Sequence, residues 1–413
     1  MSKARVTELA YSDEELACLD LPGGKLRVTR GIGSGLTRRA GDADGIVWAV
    51  GDRGPNLKLP LAIERYGLDH LAAHTGKSGA KLMPYPSIGP AIVELHVGDR
   101  HVTAIRTLAL RDVAGTALSG LPPAGTDARA AEPALDLNGE VLPPDPGGAD
   151  TEGLTGTPDG GFWVGEEYGP SLLRLDPDGS VRVRWVPAGT EASFAGANYP
   201  VVGALPQLAA YRRLNRGFEG LTLSMDGQRL HVAFQSPLAH PDEHAGDHAR
   251  HVRLWTLDTT TGALLTEHLY PLDKPKSFLR DNALSDVDRA DVKLCDVAML
   301  DANTLIVLER ISATAKLYLT RLDPERALAP KWSDPATRPT IEELSAGDAP
   351  GFPCLDKHLL FSTDDHPEIS PDLEGLTLLD ERTILLVNDN DFGIEGVPTR
   401  FWRVEMKRPI GCD

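Results

Sequence analysis

The chain has 413 residues, 41% hydrophobic and 25% charged, with 41 glycines and 32 prolines, a composition that suits a fold of many short strands and tight turns. Its formal net charge of −18 argues against nucleic acid as a partner, because phosphate binding needs a basic footprint. No stretch reaches the roughly 18 apolar residues that a membrane span needs.

The N-terminal segment MSKARVTELAYSDEELACLD has no apolar stretch and no small-residue cleavage site. A cytoplasmic location is therefore expected, unless a leader has been trimmed. Five segments then repeat one layout: a small or acidic residue, Gly-Leu or a variant, a turn, an apolar run and a closing polar residue. The first runs from Ser34-Gly35-Leu36 to Ile46–Val50 and Asp52-Arg53. The second runs from Glu152-Gly153-Leu154 through Asp159-Gly160 to Phe162–Val164 and Glu166-Glu167. The third joins Glu219-Gly220-Leu221 through Asp226-Gly227 to His231–Phe234 and Gln235. The fourth is degenerate, with Cys295-Asp296 leading to Leu305–Leu308 and Glu309-Arg310. The fifth joins Glu374-Gly375-Leu376 to Ile384–Val387 and Asn388-Asp389.

Each copy reads as a β-hairpin, since short β-branched runs flank Asp-Gly turns. A third strand and a further turn follow most copies, as at Leu172–Leu175 before Asp178-Gly179. The predicted fold is all-β: one β-propeller domain over residues 1–413, built of four-stranded antiparallel blades. Five blades carry the motif, and unassigned stretches leave room for a sixth. Arg5–Leu9 is expected to close the ring against Thr399–Val404. Segments 112–149 and 188–215, rich in Pro, Gly and Ala, read as excursions over one face.

The start of a blade's first strand and the end of its second lie at the same face. Glu152, Glu219, Asp296 and Glu374 at strand starts should therefore meet Asp52, Glu166 or Glu167, Gln235, Glu309 and Asp389 at strand ends. Crowded carboxylates cannot all stay ionised without compensation. A divalent cation, calcium first, is the natural compensator for such hard oxygen ligands. The expected ligands are Asp52, Glu152, Glu167, Glu219, Asp296, Glu309, Glu374 and Asp389, with Gln235, Asn388 and Asn390 able to complete the shell. Glu152, Glu219 and Glu374 are also the expected catalytic acids, with Asp389 a further candidate base. Arg53 and Arg310 are expected to grip an anionic group. Backbone capping remains an open alternative for any single acid.

Two weaker signals complete the reading. His240-Pro241-Asp242-Glu243-His244 matches the H-x-x-E-H string of some zinc peptidases, but Pro241 and Gly246 argue for a polar loop and not the required helix. The four cysteines (Cys18, Cys295, Cys354, Cys412) lack paired metal spacing. Cys18 and Cys412 lie where a ring would close; a disulfide between them is one reading, and free thiols in a reducing compartment are the expected one.

At these same residues the chain resembles the phytase-like family, the "esterase-like activity of phytase" proteins. The segments that carry the resemblance are GDADGIVWAVGDRGPN, DTEGLTGTPDGGFWVGEEYGPSLLRLDPDG, NRGFEGLTLSMDGQRLHVAFQSPL, DVAMLDANTLIVLER and LEGLTLLDERTILLVNDNDFG. It spans about residues 31 to 406. The chain departs from the pattern at Cys295-Asp296, and it shows no export signal although such proteins are commonly exported. The resemblance implies hydrolysis of a phosphate or carboxylic ester of small-molecule size. A non-catalytic propeller that binds a small ligand or a protein partner on the same face is the alternative.

Overall fold

A computed structural model describes residues 4–125, 132–346 and 351–411. Strand β1 (Ala4–Leu9) is followed by a hairpin of β2 (Glu15–Leu21) and β3 (Gly24–Thr29). The first repeated sheet opens with β4 (Gly35–Thr37) and β5 (Ile46–Val50). The chain then leaves it for β6 (Leu57–Lys58), helix α1 (Leu59–Tyr66) and β7 (Lys81–Leu82). It returns as β8 (Ala91–Val97) and β9 (Val102–Ala109), which complete the order β4-β5-β8-β9. β10 (Ala134–Leu135) lies beside β7 and β6 in a small separate sheet.

The second sheet joins β11 (Thr151–Gly156), β12 (Phe162–Glu166), β13 (Ser171–Leu175) and β14 (Val181–Pro187). β15 (Val201–Leu205) pairs parallel to β14 as a fifth strand. The third sheet is β16 (Phe218–Leu223), β17 (Arg229–Phe234), β18 (His251–Asp258) and β19 (Leu264–Pro271). The fourth is β20 (Lys293–Met299), β21 (Thr304–Arg310), β22 (Ala315–Arg321) and β23 (Lys357–Ser362). The fifth holds β24 (Leu373–Leu378), β25 (Thr383–Asn388) and β26 (Phe401–Met406), with β1 as its outer strand. β1 runs antiparallel to β26, from Ala4 opposite Met406 to Leu9 opposite Phe401.

Each second strand is apolar on both faces because a neighbouring sheet covers each face. All five residues of β12 are buried, as are all six of β25. The core lies in layers between adjacent sheets. Trp48 of the first meets Phe162 of the second edge-on, with ring centroids 5.0 Å apart. Ile306 and Leu308 of the fourth pack with Leu376 and Trp402 of the fifth, and Val387 and Phe401 pack with Val47 and Val93 of the first. The first strands follow the same order: β4 touches β11, β11 touches β16, β16 touches β20, β20 touches β24 and β24 touches β4.

Several local expectations change. The 188–215 stretch is not wholly irregular, because it supplies β15. The 112–149 stretch supplies β10, and its residues 126–131 lie outside the described residues. The polar loop expected at 240–244 includes the start of a short helix, α2 (Glu243–His248), capped by the Asp242 carboxylate on the Ala245 N–H at 3.0 Å. His240 stays outside that helix against Tyr211, so the peptidase-like string makes no metal face. Cys18, Cys295 and Cys354 are free thiols, and Cys412 lies outside the described residues. Among the described residues no helix is long and apolar enough to cross a membrane.

Removing residues 1–9 should expose the β26 edge and the cavity left by Leu9, which is 1% exposed. Loss of that side chain alone is worth about 2 kcal/mol, and an open edge invites association. The expected result is a lower melting temperature and concentration-dependent oligomers on size exclusion. Wild-type melting would show that β1 contributes nothing to the fifth sheet.

Candidate functional site

The geometry begins with a slip of register. In four sheets the pairing between first and second strand shifts at the residue the sequence marks. Glu219 falls between the paired Phe218 and Gly220, Glu374 between Leu373 and Gly375, and Cys295 between Leu294 and Asp296. In the second sheet the shift takes in Glu152 and Gly153. A bulged residue leaves the ladder and is re-aimed, here toward the axis around which the first strands meet. The glycine that follows is a matter of clearance. A Cβ on Gly153 would stand 2.3 Å from the Glu219 carbonyl oxygen, and one on Gly35 would stand 2.6 Å from that of Glu152.

This register corrects the fourth copy. Cys295 occupies the acid's place and Asp296 the glycine's. Fully buried, the Asp296 carboxylate accepts from the N–H groups of Val297 at 2.8 Å, Leu376 at 2.8 Å and Leu36 at 3.5 Å. It ties the fourth, fifth and first sheets together, and its oxygens are used in doing so. Burial pushes its carboxyl well up, against the backbone donors that favour the anion.

Two sets of five positions result. The first strands present Ser34, Glu152, Glu219, Cys295 and Glu374. The second strands end on Asp52, Glu167, Gln235, Arg310 and Asp389. Side-chain alternation decides which of two neighbouring acids belongs here. Glu166 pairs with Thr151 and points into the sheet interior, where Arg184 holds it at 2.9 Å and Ser171 donates at 2.7 Å. Glu309 likewise points away: Lys357 lies at 2.6 Å, the Tyr270 hydroxyl donates at 3.1 Å and the Asp273 N–H at 2.5 Å. Its neighbour Arg310 takes the place expected of it. Asn388 and Asn390 are also engaged elsewhere. Asn388 donates to the Asp389 and Pro398 carbonyls, and Asn390 to Asp13, Thr29 and Arg30.

Among the described residues, three groups bring ligand-type atoms within 4.8 Å of one another: Asp52, Asp150 and Glu152; Glu152, Glu167 and Glu219; and Glu219, Cys295 and Glu374. The outer two groups carry their own cation. Arg53 pairs with Asp52, Asp150 and Glu132, bonds Asn215, and lies over the Tyr168 ring at 4.9 Å. Arg310 bonds the Cys295 sulfur at 3.1 Å, Asp372 at 2.8 Å and Glu374. Both guanidiniums are thus occupied by carboxylates and not left open to grip an anion.

The middle group has no such cation. Glu152 makes no hydrogen bond or ion pair among the described residues. Glu167 Oε1 accepts from the Gly217 N–H at 3.2 Å, and Glu219 Oε1 accepts from the Gln235 amide. Glu167 Oε2, Glu219 Oε2 and Gln235 Oε1 are buried without a partner. Buried oxygens left unbonded are costly. Burial raises the Glu152 carboxyl well above its ordinary value, and Glu219 and Glu167 raise it further. Glu219 is raised by burial and then Glu167, and Glu167 by burial against the pull of Arg53. Asp389 is raised by burial, then by Asp391 and Asp52. At Asp52 burial also raises the carboxyl, but the hydrogen bond from Asp150 and the charge of Arg53 outweigh it and hold the group low.

All-oxygen donors, converging and unbonded, fit a hard divalent cation. Glu152, Glu167, Glu219 and Gln235 Oε1 would hold it. The third group, with a thiol and with Arg310 already on Glu374, fits one poorly. Sequence reasoning missed Ser34, Cys295 and Asp150. Ser34 and Cys295 could have been found by placing the residue before each strand-start step in register. Asp150 carries no such signal, because its role depends on Arg53 from another sheet.

Residues 29–392 match the Phytase-like family, described as "Esterase-like activity of phytase". An uncharacterized secreted protein of Arthroderma benhamiae is 29% identical over 222 residues, which cover 48% of this chain and 41% of that relative. The chain therefore spans less than half of the curated relative it matches. A PQQ-bound aldose sugar dehydrogenase from Streptomyces coelicolor is 11% identical with a TM-score of 0.33 over 98% of both chains. A gluconolactonase from Xanthomonas campestris is 13% identical with a TM-score of 0.30 over 76% of this chain and 68% of that one.

Two outcomes follow from the burial of these acids. Asp296→Ala should cost about 3 kcal/mol by stranding three N–H groups, with the same loss in calcium and in chelator; a calcium-dependent loss would make Asp296 a ligand. The carboxyls of Glu152, Glu219 and Asp389 hold protons more tightly folded than unfolded. Chelated protein should therefore lose stability as pH rises from about 4.3, the free carboxylate value, through the raised values. Melting curves across pH should show that fall, and calcium should flatten it.

Proposed function

The chain belongs to the Phytase-like family, and on that premise we propose that it is a metal-dependent hydrolase acting on a phosphate or carboxylic ester at the acidic end of the axis. The observation that carries this reading is the set of unbonded buried oxygens on Glu167, Glu219 and Gln235 beside Glu152. The cation, calcium first, would supply Lewis-acid polarisation of a phosphoryl or carbonyl oxygen. Asp389, a carboxyl buried at the same end and raised by that burial, is the residue read as taking the proton of the attacking water. Arg310 fixes the orientation of Glu374, and Arg53 neutralises Asp150 so that the acids beside it can remain close. The five sheets are read as the blades of one five-bladed propeller over residues 1–413, its ring completed by β1 on β26. The Arthroderma relative is named a secreted protein, which favours export over the cytoplasmic location expected from the N-terminal segment.

Turnover of phosphomonoesters, aryl esters and lactones, each with calcium and with chelator, tests the reading. Chelator-sensitive hydrolysis of one class is expected. No turnover on any would leave a binding protein that uses the same face. A bound cation also links to folding: at about 100 times its dissociation constant it adds about 2.7 kcal/mol. Chelation should lower the melting temperature and calcium restore it. Glu219→Gln should remove most of that calcium response, whereas Glu14→Gln in the N-terminal hairpin should not change it.

A further inference from the structure

The apolar layer between the fourth and fifth sheets is left open at the end away from the acids. Cys295 stands near the start of β20, and Leu300 follows the last residue of that strand. There the layer widens into a cavity of about 550 Å3. Leu300, Leu319, Leu359 and Leu360 line it from the fourth sheet, and Met406 and Ile410 from the chain leaving the fifth. Backbone bonds fix both walls. The Leu300 N–H donates to the Thr304 carbonyl at 2.9 Å and the Leu322 N–H to that of Asn303 at 2.7 Å. On the other side the Met406 N–H donates to the Arg382 carbonyl and the Ile410 N–H to that of Glu381, both at 2.8 Å. The hollow is thus formed before any ligand arrives, as small-molecule sites usually are. Leu359 is 52% exposed at its edge. A single exposed leucine is ordinary, but one that heads a concave apolar run marks a binding groove.

The charge around this groove is the reverse of the molecule's. Arg321, His358, Lys407 and Arg408 line it and are exposed, against one acid, Asp301. That carboxylate accepts from the N–H groups of Asn303 and Thr304, each at 2.9 Å, and the charge of Arg321 also reaches it. The side chains of Arg321, Lys407 and Arg408 make no hydrogen bond or ion pair among the described residues. Exposed cations elsewhere do find an acid: Arg27 pairs with Glu15 at 3.3 Å and Arg326 with Asp356 at 3.1 Å. On a chain of formal net charge −18, a cationic edge around an apolar floor is a local exception.

We propose that this groove binds a small amphipathic anion, a straight-chain carboxylate whose alkyl chain lies on the leucines and whose head meets the cations. The inference stands apart from the hydrolase reading, because the groove is at the other end of the sheets. The volume lies within the roughly 300–1,000 Å3 of small-molecule sites. A bare inorganic anion would leave the apolar floor in water, and a neutral chain would leave the cations unmet. A second copy of the chain fits less well, since a two-fold contact would set the cations of one copy against those of the other.

Isothermal titration of the full chain with sodium decanoate, in chelator so that calcium soaps do not form, tests the assignment. Decanoate should bind roughly fifteenfold tighter than octanoate, the worth of two more buried methylenes. It should also bind tighter than decanol, which has the chain without the charge. Leu359→Asp should abolish binding. Arg321→Gln and Arg408→Gln should each weaken it roughly threefold, and the double variant roughly tenfold. Leu265→Asp, at an exposed leucine of the third sheet, should leave it unchanged. No decanoate binding, or decanol as tight as decanoate, overturns the proposal. So does binding that survives both Leu359→Asp and the double arginine variant. A dimer on sedimentation that Leu359→Asp dissociates but decanoate does not makes the groove a self-contact and also overturns it. Melting curves show that each variant folds; should Leu359→Asp not fold, the double arginine variant and the chain-length series decide.

Discussion

Five strands approach one another around a common axis, and at one step on two of them no side chain larger than hydrogen fits. Gly35 and Gly153 meet the carbonyl of the next strand at distances no Cβ tolerates. Much else at this end follows from that clearance. In four sheets the residue beside that step bulges out of its ladder, and a bulged residue between converging strands has little direction left except inward. Polar side chains at that place are therefore forced together whatever their charge. In the fourth sheet the glycine step holds Asp296, and its carboxylate fills the space by bonding the N–H groups of two other sheets.

Forced proximity of acids creates a demand for positive charge, and the chain meets it unevenly. Arg53 serves Asp52 and Asp150, and Arg310 serves Glu374. Between them Glu152, Glu167 and Glu219 have none. Directly alongside, Arg216 and Lys293 make no ion pair among the described residues, although the charge of Glu219 reaches both. The unbonded oxygens of Glu167, Glu219 and Gln235 leave a deficit at one mouth that a hard cation would satisfy.

The repeat was legible in the sequence because it carries local chemistry: an acid, a glycine, an Asp-Gly turn and an apolar run in each hairpin. The hairpins and the strand-start positions of Glu152, Glu219 and Glu374 come directly from it. What could not be read was register. A one-residue bulge moves a side chain from one face to the other, so Glu309 and Arg310 exchange roles, as do Cys295 and Asp296. Pairings across sheets were equally hidden. Nothing near Arg53 in sequence announces Glu132 or Asp150. The excursion through β6, α1 and β7 carries no repeat signal.

The pairing of β1 with β26 has a consequence for how the molecule is made. Glu8 and Arg400 meet across 392 residues of chain, so β1 is synthesised long before the strand it pairs with. At about 5–20 residues per second that interval is tens of seconds. Throughout it, one face of the β4 sheet lacks its neighbour, and β1 is a free apolar-edged strand. Contacts of such separation also fold slowly, because loop closure must come before any gain. The nascent protein is thus exposed to wrong pairing until β26 has been made, and a holdase that shields β1 would act on yield without touching the stability of the folded protein.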